Sequence, residues 1–345
     1  MSISSILESY KISSNVTVLK VQPHTPVVFE PGQYMVLQLP DGPSRCYSMA
    51  RAPQQDGSLE FHIRCWPGGA FSDRALEALR ANSLVTLSAP LGEFLYPKGN
   101  DPVVMLATGT GIAPFLAMLE RNLPTSQGRS ICLYWGMRTE GDFYARDRLE
   151  LLVSQYSNFR FVPVISSAQQ AYVQEVARQE MGAPEKTIVL ACGSPQMIEA
   201  ARQLFTKSED VPVKLFLSDA FIATDPEEKT HSFKVSQSAS EQIKLYWAGR
   251  PITVHTGISL LAALKEAGEP MLSVCGGKAS CGTCCVSVVS EWRERLEPPA
   301  RKERNLLACL PGDQSEGRLA CQIHLTTELN GFSFTTFENC SNKEG

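Results

Sequence analysis

The chain has 345 residues, too many for one ordinary hydrophobic core, and the length implies two or three domains. Its composition, 43% hydrophobic and 20% charged, is that of a globular protein, and a formal net charge of −4 argues against a nucleic-acid partner, because phosphate binding needs a basic face. No run reaches the roughly 18 apolar residues of a spanning helix, and the start MSISSILESYKISSNV lacks the basic and apolar regions of a signal peptide; a cytoplasmic chain with no membrane partner is expected.

Up to about residue 100, short alternating runs broken by turn residues (VTVLKV, PGQYMVLQLPDG, RCYSMA, LEFHIRC, LVTLSAPLG) predict an antiparallel six-stranded β barrel. One helix, DRALEALR with Ser72 as its N-cap, interrupts it. RCYS at 45–48 and HIRCWPGGAFSDRAL at 62–76 resemble the flavin-binding half of the ferredoxin–NADP reductase superfamily, whose signatures R-x-Y-S and G-G-x-x-S both occur here. The resemblance implies that Arg45 pairs with a phosphate, Tyr47 lies along the ribityl chain or ring, and Ser48 bonds the isoalloxazine near N5. Gly68 and Gly69 would allow close approach, and Ser72 with the following helix start would offer N–H groups and a positive dipole to the pyrophosphate. His62, Ile63 and Phe71 join the implied flavin contacts, His62 through contact or packing and not proton transfer. The plain alternative makes Tyr47 a core aromatic and Arg45 a solvated charge. FAD is favoured because HIRCWPGGAFS and APLGEFLY look like the FAD-bearing oxygenase reductases; FMN, used by phthalate dioxygenase reductases, is the alternative.

From 101 to about 226 the pattern changes to apolar strand runs alternating with helical stretches: VVMLATG, APFLAMLERNL, SICLYWG, RDRLELLVSQY, FRFVPVIS, TIVLACG, PQMIEAARQLF and VKLFLSD. This predicts an α/β domain with a parallel sheet and ligands at the strands' carboxyl ends, where TGTGIAP, GMR and CGSP fall. TGTGIAPF does not match G-x-G-x-x-G, yet its N–H groups and helix end suit a pyrophosphate. Both this loop and ACGSPQMI resemble the superfamily's pyridine-nucleotide lobe. The resemblance puts Thr110, with Cys192 and Gly193, beside the nicotinamide, makes Thr108, Gly109 and Gly111 cofactor-binding residues of the same loop, and sets Phe221 over one flavin face. Ser48, Cys192 and Phe221 are then the candidate catalytic residues; core positions are the alternatives for Cys192 and Phe221. Arg138 lies where a 2′-phosphate could bind, but nearby Asp142 disfavours such an anion, so NADH is preferred to NADPH.

A polar stretch centred on 227–239 predicts a linker, and a third unit over 240–345 opens with the strands QIKLYW and ITVHT and the helix ISLLAALKEAG. CGGKASCGTCC follows. Eleven cysteines in a reducing compartment argue against a disulfide framework, which leaves zinc, a redox pair or an iron–sulfur cluster. Cys275, Cys281 and Cys284 are spaced C-x5-C-x2-C, and Cys321 is 37 residues further on. Zinc ribbons usually carry two C-x2-C knuckles and only one is present; a thioredoxin-like pair would sit between a strand and a helix. Four thiolates, three from one glycine-rich loop, suit a two-iron cluster. Cys285, Cys309 and Cys340 are assigned to structure, with Cys309 the one rival to Cys321 as fourth ligand. The segment from about 240 to 333 resembles a [2Fe–2S] ferredoxin domain of β-grasp fold, with a loop one residue longer than the plant-type spacing and closer to the adrenodoxin group.

A nicotinamide delivers two electrons as hydride and a cluster accepts one, so a flavin must stand between them. The whole chain resembles phthalate dioxygenase reductase: an NAD(P)H-dependent reductase passing electrons through flavin and [2Fe–2S] to a separate terminal oxygenase, commonly Rieske-type. A non-Rieske monooxygenase or a sugar dehydrase is the alternative acceptor, and a zinc-stapled interaction protein or a flavin hydroxylase the alternative class. Residues 231–345 carry twelve acidic and twelve basic side chains, so docking should depend little on salt. RKER at 301–304 is expected to be a solvated helix face, with a partner surface as the alternative.

Overall fold

The structure, a computed structural model, describes residues 2–39, 44–65, 83–126, 128–169, 171–206, 212–221, 241–269, 271, 273, 277, 279, 282–300, 303–304, 306–307 and 316–336. Two compact units divide the chain, Met1–Thr230 and His231–Gly345.

The first unit begins with β1 (Ser2–Ser13), β2 (Val16–Pro23), β3 (Tyr34–Gln38), β4 (Ser44–Ser48), β5 (Leu59–Arg64) and β6 (Leu84–Leu87). They form one antiparallel sheet in the order β4-β3-β6-β1-β2-β5. Its ends meet where Met49 bridges Phe61 and the Ala50 N–H donates to the Glu60 carbonyl (2.8 Å), closing the barrel. Strand β5 shows how two-residue periodicity divides labour. Leu59, Phe61 and Ile63 enter the barrel core, each contributing about 1.5–3 kcal/mol by burial, while Glu60, His62 and Arg64 face outward. The sequence reading did not anticipate β1, whose serines and charges hide its alternation. The expected helix DRALEALR with its Ser72 cap lies outside the described residues.

The same unit continues with β7 (Val103–Thr108), α1 (Ile112–Asn122), β8 (Ile131–Met137), α2 (Arg146–Gln155), β9 (Phe159–Ile165), α3 (Ser166–Gln169), α4 (Val173–Glu180), β10 (Ile188–Gly193), α5 (Pro195–Thr206) and β11 (Leu215–Ala220). The five strands are parallel in the order β11-β10-β7-β8-β9. Central strands covered on both faces need apolar residues at every position, and so VVMLA and IVLAC are buried throughout. The strand order reverses between β7 and β10, the kind of switch point at whose carboxyl ends open α/β sheets bind ligands.

The second unit contains β12 (Gln242–Trp247), β13 (Arg250–His255), α6 (Leu260–Glu266), β14 (Cys285–Val288), α7 (Ser290–Arg293), β15 (Gly317–Leu319) and β16 (Ser333–Thr336). Its mixed sheet runs β13-β12-β16-β14-β15, with β12 and β16 parallel. Ala248 and Gly249 both have positive φ, the two-residue turn that matches hairpin twist between β12 and β13. Ser259 caps α6 by accepting the Ala262 N–H (3.2 Å), and the helix covers the core that holds Leu245, Phe332 and Phe334. RKER is not a uniformly solvated face: Glu303 is buried against Arg318, whose Nε lies 2.9 Å from Glu303 Oε1. The interstrand position of Arg318 draws that carboxylate inward. No helix among the described residues is long and apolar enough to cross a membrane.

Candidate functional site

RCYS forms β4 and the edge of the barrel. Arg45 donates to the Ser44 carbonyl (2.8 Å), and Tyr47 is half-buried, with desolvation pushing its phenol well above the usual range. The Ser48 hydroxyl is buried without a hydrogen-bond partner among the described residues. An orphaned hydroxyl costs about 1–3 kcal/mol unless something binds it, so a polar ligand at this strand end fits the site. Ile63 belongs to the barrel core, leaving only its backbone for contacts outside it. His62 is buried on the opposite face, with Nε2 3.0 Å from Glu60 Oε1 and Nδ1 3.1 Å from Tyr144 Oη. Gly68, Gly69, Phe71 and Ser72 lie outside the described residues.

At the switch point the two predicted glycine turns lock into each other. A Cβ on Gly111 would sit 2.3 Å from the Cys192 carbonyl oxygen, and one on Gly193, at φ +136°, 2.2 Å from Thr108 Oγ1. Glycine is therefore demanded by the contact between β7 and β10 themselves, before any ligand is considered. Thr108 Oγ1 accepts the Ser194 N–H (2.9 Å), and the Phe221 N–H donates to the Gly193 carbonyl (2.7 Å). Thr108, Gly109, Thr110, Gly111, Cys192, Gly193 and Phe221 thus gather at the carboxyl ends of β7 and β10, with the Cys192 side chain buried. The sequence reading missed two neighbours of Gly109 and one residue behind them. Arg64 Nη1 is 3.5 Å from the place a Gly109 Cβ would take, the Trp135 indole N–H donates to the Gly109 carbonyl (3.0 Å), and Tyr144 packs edge-on against Trp135 at 5.3 Å. The alternation of charged and apolar residues in LEFHIR was the available signal for Arg64; Trp135 in LYWG looked like strand core. Arg138 is exposed, and Asp142 Oδ2 is turned back onto Thr139, accepting its N–H (2.9 Å) and hydroxyl (2.8 Å).

In the second unit, Cys284 precedes β14 and Cys321 follows β15, and the pairing of these strands brings them together: the Ala320 N–H donates to the Cys284 carbonyl (2.9 Å). Both side chains are buried in the same cluster, and the Gln322 amide donates to Cys321 Sγ (3.4 Å), a bond suited to a thiolate. Gly277 (φ +98°), Ala279 (φ +50°) and Gly282 (φ +72°) adopt left-handed conformations, and Gly277 lies beside Cys321, a Cβ there making ordinary contact at 3.7 Å with the Cys321 Cβ. A loop so turned, beside two buried sulfurs from separate strands, fits a four-thiolate group with backbone N–H donors. Cys275, Cys281, Cys309 and Cys340 lie outside the described residues; Cys285 is buried in the core.

Three family models match the chain in sequence: the oxidoreductase FAD-binding domain over residues 4–96, the oxidoreductase NAD-binding domain over 105–203, and the 2Fe-2S iron-sulfur cluster binding domain over 245–326. The chain is thus an oxidoreductase with an FAD-binding domain, an NAD-binding domain and a C-terminal [2Fe–2S] domain. Its cofactors are FAD, NAD and a [2Fe–2S] cluster. Among relatives, the CDP-6-deoxy-L-threo-D-glycero-4-hexulose-3-dehydrase reductase of Yersinia pestis is 32% identical over 210 residues, 59% of this chain and 63% of that protein. The toluate 1,2-dioxygenase electron transfer component of Pseudomonas putida is 32% identical over 205 residues, 57% of this chain and 60% of that one. The matched stretches thus span less than two thirds of these relatives. The solved structure of phthalate dioxygenase reductase, described as modular for electron transfer from pyridine nucleotides to [2Fe–2S], matches with a TM-score of 0.58 over 96% of both chains. At 19% identity that likeness concerns the fold.

Proposed function

We propose that the chain is the reductase component of an oxygenase system, taking electrons from NADH and passing them through FAD and its [2Fe–2S] cluster to a separate, Rieske-type terminal oxygenase. The observation that carries this reading is the presence of FAD-binding, NAD-binding and cluster-binding domains in one chain. When bound, the flavin supplies the conversion between two-electron and one-electron chemistry. The protein supplies placement. Ser48 offers its unpaired hydroxyl to the isoalloxazine, and Arg45 and Tyr47 line the same barrel edge. The Thr108–Gly111 and Cys192–Gly193 turns hold the nicotinamide, and Phe221, tied to Gly193, covers the ring it must approach. Cys284 and Cys321, with Cys275 and Cys281, ligate the cluster. Preference for NADH rests on the nearness in sequence of Asp142 to Arg138, where a 2′-phosphate would meet a carboxylate. The domains run 1–100, 101–226 and 240–345 with a linker between the last two, and the site of action is the cytoplasm, where the eleven cysteines stay reduced.

A sugar-nucleotide dehydrase as the client is the second reading, favoured by a dehydrase reductase that is as similar as the dioxygenase components. Supplying NADH and the purified protein to an aromatic-ring dioxygenase and, separately, to a hexulose dehydrase decides between them by which forms product. Cytochrome c reduction should vanish when the cluster is stripped while ferricyanide reduction persists. Cytochrome c reduction that survives cluster removal would contradict routing through the ferredoxin domain.

A further inference from the structure

We propose that Trp135 and Tyr144 are positioning residues that tie the nucleotide-binding turn to the flavin-bearing barrel. The inference deepens the proposed function and rests on it for what the turn holds. A directional chain of buried contacts runs between the lobes. The Tyr144 hydroxyl donates to His62 Nδ1 (3.1 Å), which leaves the Nε2–H of His62 to donate to the Glu60 carboxylate (3.0 Å); one tautomer satisfies all three groups. Tyr144 meets Trp135 edge-on, with rings 5.3 Å apart at 86°, and the Trp135 Nε1–H donates to the Gly109 carbonyl (3.0 Å). One end of the chain is β5 and the other is the turn after β7.

Each end reaches reacting geometry. The Ala50 N–H bond to the Glu60 carbonyl and the Met49–Phe61 bridge fasten β5 to the residues just after Ser48. At the other end a trans peptide has its C=O and N–H antiparallel, so anchoring the Gly109 oxygen on Trp135 aims the Thr110 N–H the opposite way. Gly109 is at φ +56°, a glycine position with wide rotational freedom, and the indole bond removes that freedom. Arg148 reinforces the junction from α2, with Nη1 3.6 Å from Glu60 and Nη2 3.3 Å from Glu120, which also accepts from Arg51 (2.9 Å) and the Ala52 N–H (2.8 Å). Apolar side chains would join two lobes as firmly. Buried polar groups with single satisfied partners fix one relative placement, and hydride transfer is sensitive to that, since a misplacement of about 1 Å costs on the order of 100-fold.

The test uses the full-length holoprotein with Trp135→Phe, which keeps a ring but loses the N–H, and Tyr144→Phe, which keeps the edge contact but loses the bond to His62. Amide hydrogen exchange should speed up by roughly tenfold at Thr110 and Gly111 in Trp135→Phe, with β10 and the barrel strands unchanged. With NADH deuterated at the transferred position, flavin bleaching should slow by about tenfold or more, and the primary isotope effect should rise, at unaltered FAD content and KM. Exchange at 109–111 within twofold of the parent in both variants overturns the proposal, as does loss of FAD or of protection throughout the first unit, which would mark a purely structural role. A parent protein whose flavin NADH does not reduce would instead sink the proposed function, and the exchange result would still judge the tether.

Discussion

Burial disfavours the charged form of His62 and holds its pKa below the usual value, with Arg148 pulling the same way and Glu60 the other. Burial would raise Glu60, but the hydrogen bond from His62 and the charges of Arg148 and Arg51 outweigh it and keep the carboxyl low. Both shifts act in one direction on stability. Below about pH 6.5 the unfolded chain binds a proton at His62 that the native chain refuses, and below about pH 4.3 the same becomes true of Glu60. Stability is therefore full above the ordinary histidine range and is lost as pH falls. Urea midpoints should drop between pH 7 and pH 5, and His62→Gln should flatten that slope; a slope equal to the parent's would contradict a buried neutral imidazole. The Arg318–Glu303 pair makes a second residue-scale prediction. Glu303 accepts from Arg318 and from the Leu319 N–H (2.8 Å), two residues before Cys321. Arg318→Met strands a buried carboxylate and should cost about 3–5 kcal/mol, read from urea unfolding followed through cluster absorbance.

Among the elements, strands with unbroken apolar runs or clean alternation were legible: VVMLA, ICLYW and IVLAC became the central parallel strands, and LEFHIR the barrel strand that closes on Met49. β1 was not, because Ser2, Ser4, Ser5, Glu8, Ser9 and Lys11 mask the buried Ile6, and its place between β2 and β6 depends on pairing with residues some eighty positions away. The glycine turns were legible as strand-to-helix turns, whereas their mutual contact was not, since no local pattern shows that Gly111 meets Cys192. That contact makes a prediction. Gly193→Ala adds a methyl 2.2 Å from Thr108 Oγ1 at a φ that side chains rarely adopt, and it should destabilise the nucleotide-binding lobe by about 2 kcal/mol or more and weaken NAD binding. Denaturation and calorimetric titration with NAD check it. A variant as stable as its parent would show that the two turns can part.

For the molecule as a whole, the three cofactor domains could be recognised from R-x-Y-S, the glycine turns and the C-x5-C-x2-C loop, because cofactor chemistry dictates residue types at close spacing. The groups that join barrel to nucleotide lobe, Glu120, Tyr144 and Arg148 among them, were silent, being ordinary helix and loop residues until folding brings Tyr144 and Arg148 to β5 and Glu120 to Arg51 and Ala52. Cys321→Ser should abolish or severely deplete the cluster while leaving FAD in place, as iron and flavin analysis would register. The most direct measurement is an anaerobic titration of the reconstituted chain with NADH, followed by low-temperature electron paramagnetic resonance. The account predicts a rhombic signal of a reduced [2Fe–2S] cluster that grows with added NADH and requires FAD. A flavin that NADH bleaches while the cluster stays oxidised would contradict it.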